Sequence, residues 1–375
     1  MQDYLKTYRA VLTVHGPLHI GAGHSIGKKE YIFDSRAQKV YIPDLPKMYY
    51  WLWRNGYQDK FEEYLLKKNG DLYGWLCKNK IAPQTWRQWI AYTLDAADAV
   101  SDTRTKIEIQ TCMKDKYGQI YVPGSSLKGA LRTAILGAVL CKNREKLADD
   151  VRKMAQSIMQ AEKQRIQRNA FLRSENEKFA ERVFHTLVRN DKKKSDKVND
   201  FMAGLRVSDS KPLSTDCLIL CRKQDERKDG EKKELNLARE CIRPGTQLEF
   251  DVTVDTTLCK WEKAQILWAL RFFGQCYTEC FGGKFASGDK LAPNMFYLGG
   301  GSGFASKTVV YPLLGSAGLK TVSKIIDTTL PVKIRHQHKH FKDVQEGVSP
   351  HTIKKTTYNG RKYSFGLCSL DMEEI

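Results

Sequence analysis

The sequence predicts an α+β protein in which two domains are each built on an antiparallel sheet. Segments that alternate apolar and polar residues, as half-buried strands do, occur in both halves of the chain. Each half also holds segments with helical periodicity, without the regular strand–helix alternation of a parallel sheet. The length of 375 residues, of which 41% are hydrophobic, suits two domains with sizeable cores.

The first half opens with predicted strands. Residues from Lys6 to Val14 alternate apolar and polar side chains, which predicts a half-buried strand. The segment His15–His24 is rich in glycine, and we expect a turn there rather than regular structure. Residues 31–34 and 39–43 are short apolar runs that predict a hairpin.

Helices are predicted for much of the remaining first half. A tryptophan-rich helical region is expected to end near Ala99, and residues 107–110 and 119–123 predict a second hairpin. Residues 142–190 are highly charged but carry apolar residues at helical spacing, which predicts a helical insertion.

The predicted domain boundary lies in the run Asn190–Lys197, which has no apolar residue. We interpret this run as a mobile linker. The two predicted domains are therefore residues 1–190, with the insertion, and residues 200–375.

The second half repeats the mixture of strands and helices. Residues 217–221 and 234–240 are predicted strands that flank a charged loop over 224–233. Residues 247–254 alternate cleanly, and residues 261–281 have the apolar spacing of one helix.

Charge and hydropathy narrow the functional classes. A formal net charge of +19 favours polyanionic partners such as nucleic acid. Residues 142–200 suit either a solvated helical surface or a polyanion site, whereas residues 331–363 have few acids and favour the polyanion site. No apolar run is long enough to span a bilayer, and residues 1–6 lack a signal-peptide pattern, so we expect a cytoplasmic protein with no membrane partner.

The segment from Tyr121 to Leu136 is the most informative motif. A strand is predicted to end at Pro123-Gly124, after which Ser125 or Ser126 caps a helix. Lys128 and Arg132 are one turn apart on this helix, next to the free N–H groups of its first turn. This arrangement suits a phosphate backbone, although an ordinary capped helix with two exposed cations would look the same.

A second motif is the glycine-rich segment from Leu298 to Thr308, which could bring its backbone close to a ligand. It lacks the third glycine of the dinucleotide fingerprint and the second glycine of the Walker motif. Residues 309–312, which follow, read as a strand rather than a helix. Gly283 and Gly288 have Walker spacing, but Asp289 stands where the phosphate-binding lysine belongs. ATP hydrolysis is therefore not expected.

Histidines raise two chemical alternatives. A metal-independent ribonuclease could draw its acid and base from the N-terminal set His15, His19 and His24. A metal could bind the alternating set His336, His338 and His340 if these residues lay on a strand. For both sets the competing interpretation is that of polar surface histidines. The ten cysteines form no CxxC pair and are expected to be reduced and free of metal.

Several short motifs together resemble the RAMP superfamily of CRISPR-associated proteins and, within it, the family of the fifth Csm subunit of type III-A effector complexes. They are specific only in combination, and they are His19–Gly23, Val122–Arg132, Arg206–Ser210, Gly299–Gly303, Gly347–Thr352 and Tyr358–Tyr363. The resemblance implies two RRM-like (ferredoxin-like) modules. It also implies a non-catalytic subunit of the Csm ribonucleoprotein that caps the 3′ end of the crRNA in antiviral defence.

The implied partners are crRNA, the repeated backbone subunits, the small subunits and host ribonucleases recruited for crRNA 3′-end maturation. The related backbone subunit carries a target-cleaving aspartate after its first strand, but residues 24–28 contain no aspartate here. Aromatic stacking motifs of RRM type are also not evident, so backbone contacts are expected rather than base stacking. The alternatives are a repeat-cleaving RAMP endoribonuclease and a backbone-type or 5′-handle subunit.

No catalytic residue, cofactor or metal ligand is predicted. The predicted RNA-binding residues are glycines, cations, histidines and serines of these motifs and of one neighbouring loop, namely His19, Gly21, Gly23, His24, Lys28, Ser125, Ser126, Lys128, Arg132, Arg206, Ser208, Lys284, Gly299, Gly300, Gly301, Ser302, Gly303 and Lys307.

Overall fold

Strands from both halves of the chain combine into two sheets. The computed structural model describes residues 4–100, 107–160 and 173–375. The strands are β1 Leu5–Val14, β2 Gly21–Ile26, β3 Ile32–Asp34, β4 Lys39–Pro43, β5 Ile90–Asp95, β6 Glu108–Cys112, β7 Leu205–Val207, β8 Leu218–Arg227, β9 Lys232–Ile242, β10 Gln247–Asp255, β11 Met295–Tyr297, β12 Thr352–Tyr358, β13 Arg361–Ser364 and β14 Leu367–Glu374.

Helices account for much of the remaining described chain. They are α1 Leu45–Arg54, α2 Gln58–Leu66, α3 Leu72–Lys78, α4 Pro83–Trp86, α5 Gly124–Lys142, α6 Ala148–Gln160, α7 Arg173–Phe184, α8 Lys263–Cys280, α9 Val310–Leu314, α10 Gly318–Thr329, α11 Val332–His338 and α12 Asp343–Glu346. No helix in the described ranges is both long and apolar enough to cross a membrane.

The first sheet has the order β11-β14-β1-β10-β7, and all its neighbouring strands are antiparallel. In chain order β1, α5, β7, β10, α8 and β14 follow the βαββαβ pattern of a ferredoxin-like domain. Helices α5 and α8 pack against each other. Alternate residues of β1 share the core with α5, and Leu12 in the strand and Leu127 in the helix are both fully buried.

The second sheet has nine strands in the order β2-β6-β9-β8-β5-β4-β3, with β12 paired to β8 and β13 paired to β12. Most of its pairs are antiparallel, but β5 with β8 and β6 with β9 run parallel. The predicted α+β class with two ferredoxin-like domains is therefore confirmed, although this second sheet is mixed.

Both sheets combine strands from either side of residues 190–200, the predicted domain boundary. In the first sheet β1 pairs with β10 and β14, which lie more than 230 residues later in the chain. In the second sheet β5 and β6 pair with β8 and β9. Strand pairing therefore does not follow the division into residues 1–190 and 200–375.

The run between Asn190 and Lys197 is organised around one amide side chain. Asn199 is 1% exposed. Its side-chain carbonyl accepts hydrogen bonds from the backbone N–H groups of Arg189 and Asn190, and its amide group donates to the Asn190 carbonyl at 2.9 Å. A side chain can order a polar segment in this way because its bonds replace those of regular structure. The mobile linker that we predicted is therefore a folded loop among the described residues.

Local predictions succeeded where the pattern was long. Strands β1 and β10 and helix α8 follow their predicted alternation or spacing, and the β3–β4 hairpin is confirmed. The predicted charged insertion contains α6 and α7, while its residues 161–172 lie outside the described chain.

Five local predictions were wrong. Residues 21–26 form the edge strand β2 rather than a turn, because an irregular register with β6 accommodates the glycines. Residues 90–95 are a strand, residues 119–123 make only isolated bridges, and residues 309–312 lead into helix α9. The charged loop over 224–233 is mostly the β8–β9 hairpin.

Candidate nucleic-acid interface

Three chain segments cross at a point between the two sheets, and we call residues 15–20, 298–303 and 364–367 the glycine junction. Their backbones bond directly: the Gly300 N–H donates to the His19 carbonyl at 2.7 Å, and the Gly366 N–H donates to the Pro17 carbonyl at 2.8 Å. A Cβ atom at Gly299 would lie 2.3 Å from the His19 carbonyl oxygen. Gly299 and Gly300 therefore serve backbone packing, and the predicted His19–Gly23 and Gly299–Gly303 motifs meet here.

The outer part of the glycine-rich loop forms the wall of a cleft. Gly301 and Gly303 have φ angles of +96° and +94°, which favour glycine. Between them, the buried Ser302 hydroxyl accepts a hydrogen bond from the Ser306 hydroxyl at 3.0 Å. A Cβ at Gly301 would lie 3.0 Å from the Phe365 ring. A larger residue at Gly301 would therefore strain the fold itself.

The cleft beside this loop has one charged wall, and we call it the basic cleft. Its other wall is largely apolar and consists of Leu235, Phe304, Ile326, Leu330, Ile334 and Pro350. The cleft has a volume of about 580 Å³. Its charged and glycine wall consists of Lys223, Asp225, Lys233, Arg239, Gly301, Gly303 and Lys354, with His338 and His340 at one side. Asp225 is its one acidic residue and pairs with Lys354 at 2.7 Å.

Burial and mutual repulsion act on the cations around the loop. Burial, together with the charges of Lys354 and Arg239, lowers the pKa of Lys223 to about 8. Burial and the Arg239 charge also lower the pKa of Lys307, whose ammonium group donates to the Gly299 carbonyl. Burial is the larger cause of both shifts, and repulsion between the cations adds to it, although the Lys223 ammonium lies 3.8 Å from the Asp225 carboxylate.

The Arg239 guanidinium is central to this charge. Burial lowers its pKa. Within the described part of the chain, its Nε and Nη1 atoms are buried without a hydrogen-bond partner. Buried donors without a partner are costly, and the charge of the guanidinium suits an anionic ligand such as phosphate.

The N-terminal histidines do not share one arrangement. His19 is 4% exposed, and its Nδ1 lies 2.8 Å from the Glu240 carbonyl oxygen. Burial lowers its pKa to about 4, so its ring is neutral at pH 7. His15 bonds Ser369 through Nε2 at 2.8 Å, and His24 is exposed on β2. His19 is thus a packed residue of the glycine junction rather than a cation.

The start of α5 differs from the predicted phosphate site. The helix begins at Gly124, whose N–H donates to the Asp209 carboxylate at 2.8 Å. Arg132 pairs with Asp200 at 2.7 Å and lies 3.7 Å from the Phe184 ring centre. Asp209 and Asp200 are both distant from α5 in the sequence. The sequence therefore could not show that the Gly124 N–H group and Arg132 already have anionic partners. Lys128 is half-buried, and burial lowers its pKa.

The Arg206–Ser210 motif holds α5 in position. The Ser210 hydroxyl accepts from the Val122 N–H at 2.9 Å, and Ser208 accepts from the Asp251 N–H at 2.9 Å. The remaining predicted residues lie apart from this contact. Arg206 is exposed on β7, Lys284 is exposed after α8, and Lys28 follows β2, which carries Gly21 and Gly23. Ser125 is exposed at the start of α5, whereas Ser126 shares a smaller cleft of about 290 Å³ with Gly299 and Lys307.

Sequence reasoning missed Lys223 and Arg239 of the basic cleft, whereas Lys354 lies in the basic segment 331–363 that it favoured as a polyanion site. Lys223 and Arg239 lie on neighbouring strands of a hairpin, and Lys354 lies on β12. A signal was present in Arg239, because strand alternation places it on the same face as the apolar Leu237 and Cys241. The pairing that gathers the three residues could not be seen.

Comparison with known proteins identifies the family. The sequence profile described as "RAMPs: RAMP superfamily" matches residues 11–373. The chain belongs to the RAMP superfamily.

Similar proteins include several named "CRISPR system Cms protein Csm5". The chain is 29% identical to the one from Enterococcus italicus, over 99% of this chain and 98% of that protein. It is 29% identical to the one from Streptococcus thermophilus, over 82% of each, and 27% identical to the one from Mycobacterium tuberculosis, over 99% of each. The predicted resemblance to this subunit family is confirmed.

Two solved structures share the fold. A chain of the "Cryo-EM structure of Csm-crRNA-target RNA ternary complex in type III-A CRISPR-Cas system" aligns with a TM-score of 0.62 at 17% identity, over 97% of this chain and 100% of that one. The "Crystal structure of T.onnurineus Csm5" aligns with a TM-score of 0.57 at 17% identity, over 96% of this chain and 99% of that one.

The contact between α5 and the Arg206–Ser210 motif gives a test of the fold. A Cβ at Gly124 would lie 2.2 Å from the Val207 carbonyl oxygen and 2.3 Å from that of Ser208. We expect Gly124→Ala to lower the free energy of unfolding by about 1–3 kcal/mol or more, the cost of overpacking. Gly129→Ala is the control, because a Cβ there meets nothing within 4 Å. It should raise stability by roughly 0.5–1 kcal/mol. Urea denaturation measures both, and equal effects would contradict the packing.

Proposed function

We propose that the chain is a non-catalytic Csm5-type subunit of a type III-A Csm ribonucleoprotein, and that its basic cleft binds the backbone of crRNA near the 3′ end. The alignments to two relatives named Csm5 cover nearly the whole length of both chains. One structural neighbour is a chain of a complex that contains crRNA. The observation that carries the proposal is the Arg239 guanidinium. Its buried Nε and Nη1 atoms have no hydrogen-bond partner in the described chain, and its charge helps to lower the pKa of both Lys223 and Lys307.

Phosphate fits this cleft better than other ligands do. Burying cations next to one another makes folding of the protein less favourable. A bound polyanion offsets this free-energy cost by pairing with them. Gly301 and Gly303 have no side chains, so a ligand backbone can approach the loop closely at these two positions. Contacts of this kind do not read bases, which suits a subunit that must accept every guide sequence.

The proposed part in crRNA 3′-end maturation is to hold the end while a recruited host nuclease trims it. The alternative, a repeat-cleaving ribonuclease with histidine acid and base, has less support. His19 is buried with a pKa of about 4, and His15 is bonded to Ser369. A general acid and base work best with pKa values near the operating pH.

Exposed aromatic side chains on α1 support docking to another subunit. Tyr50 and Trp53 are 57% and 58% exposed, and Tyr49 lies beside them. Aromatic residues are enriched in protein interfaces. A single exposed aromatic side chain is not unusual, but three on one helix form an apolar patch. We propose that a backbone or small subunit of the complex covers this patch.

The basic cleft predicts a specific loss of RNA binding. The double variant Lys223→Gln with Arg239→Gln should weaken binding of single-stranded RNA by the full-length chain at every sequence alike. The slope of log K against log salt should fall by about 0.7 for each lost contact, or roughly 1.4 in total. Because the variant removes poorly paired cations, its thermal stability should be equal to or above that of the wild type. Fluorescence anisotropy across a salt series measures the binding.

The matched control is Lys192→Gln with Lys193→Gln, which makes the same change in net charge at two exposed positions. It should leave affinity and slope close to the wild type. An equal loss in both variants would mean that net charge alone governs binding, and no loss in the cleft variant would refute the proposed site.

Lys223 also predicts a pH dependence. Its pKa of about 8 means that the free protein loses this positive charge as the pH rises from 7 to 9. Phosphate binds the protonated form, so RNA affinity should fall as the pH rises through about 8. Lys223→Arg should flatten this fall because a guanidinium stays charged. Affinity measured from pH 7 to 9 checks it, with Lys192→Arg as the control. A wild-type profile that Lys223→Arg does not alter would show that Lys223 does not contact RNA.

A further inference from the structure

Three histidines converge at one side of the basic cleft. His338 ends α11, His340 lies in the short 3₁₀ turn that follows, and His351 immediately precedes β12. One ring nitrogen from each lies within 4.8 Å of the others. The His338 and His340 rings are parallel to within 2°, and the His340 and His351 ring centres are 4.5 Å apart. This set differs from the alternating histidines of the sequence, because His336 lies on α11 outside the cluster.

A buried carboxylate orients two of these rings. Asp343 is 0% exposed, and its Oδ2 lies 2.9 Å from Nδ1 of His340. Its Oδ1 lies 2.6 Å from Nδ1 of His351. The Ser349 hydroxyl donates to Oδ2 at 2.7 Å. When both Nδ1 atoms donate to this carboxylate, each Nε2 carries a free lone pair.

We propose that His338, His340 and His351 bind one divalent transition-metal ion, with zinc as the best match. Imidazole nitrogen is a ligand that zinc prefers, and three histidines occupy three of four tetrahedral positions. A carboxylate behind a ligating histidine fixes the ring and raises its basicity. Asp343 does this for two ligands at once.

The position of the cluster gives the ion two consequences. The ion ties the segment that follows α10 to β12, so it stabilises the folded chain by the free energy of binding. The ion would lie at the edge of the basic cleft, because His338 and His340 line that cleft with Gly301 and Gly303. The ion adds positive charge where the other cations lie.

Binding can be tested without RNA, so the result is independent of the proposed function. The full-length chain, purified without a polyhistidine tag and treated with a chelator, is titrated with zinc by calorimetry. Cobalt(II) replaces zinc in a parallel titration, in which visible absorption reports the ligand geometry. The wild type should bind one ion per chain, raise its melting temperature and give the intense bands of tetrahedral cobalt.

His338→Gln removes one ligand and does not disturb the Asp343 hydrogen bonds, so its metal-free form should melt like the wild type. It should bind zinc at least tenfold more weakly and lose the tetrahedral spectrum. His336→Gln is the control on the same helix, and it should bind as the wild type does. The proposal fails if the wild type binds no ion with excess zinc, or if the two variants bind equally.

Discussion

The glycine junction is the contact on which the two-sheet architecture depends. At this point β1, β10, β11 and β14 of the first sheet continue into strands or loops of the second, and their backbones bond one another without intervening side chains. Leu18 of the junction exchanges two backbone hydrogen bonds with Ile242, the last residue of β9. A Cβ at Gly16 or Gly366 would lie 1.9 Å from a carbonyl oxygen. Any other residue would therefore push the sheets apart.

The same constraint creates the candidate site. Gly299 and Gly300 are held against His19, and the next glycines of the loop, Gly301 and Gly303, line the basic cleft. The β8–β9 hairpin brings Lys223 and Arg239 to that wall, and β12 brings Lys354. Burial lowers the pKa of both Lys223 and Arg239, so the free protein disfavours their charged forms. Such a cost is characteristic of functional sites, where perturbed pKa values and unsatisfied donors gather.

Local patterns allowed much of the fold to be predicted, because β1, β10 and α8 bury one regular face each. These local patterns did not show which strands of the two halves pair with each other. A strand's alternation shows that it has a buried face but not which strand it pairs with, and β1 pairs with β10 and β14. The candidate site could be predicted only in part, again because sequence patterns do not show strand pairing. The glycine-rich loop is one continuous motif and could be recognised, whereas the cations beside it come from three strands. The sequence predicts Arg132 as a phosphate-binding cation because Asp200, its ion-pair partner in the structure, is distant in the chain.

The most direct test of the account is a structure of the assembled complex in which this chain and the crRNA are both visible. The account predicts crRNA phosphates within hydrogen-bonding distance of Arg239 and Lys223, with the backbone passing along Gly301 and Gly303. It would be contradicted by crRNA that passes over the Lys128 face of α5 or the β2 edge while the basic cleft makes no contact with nucleic acid.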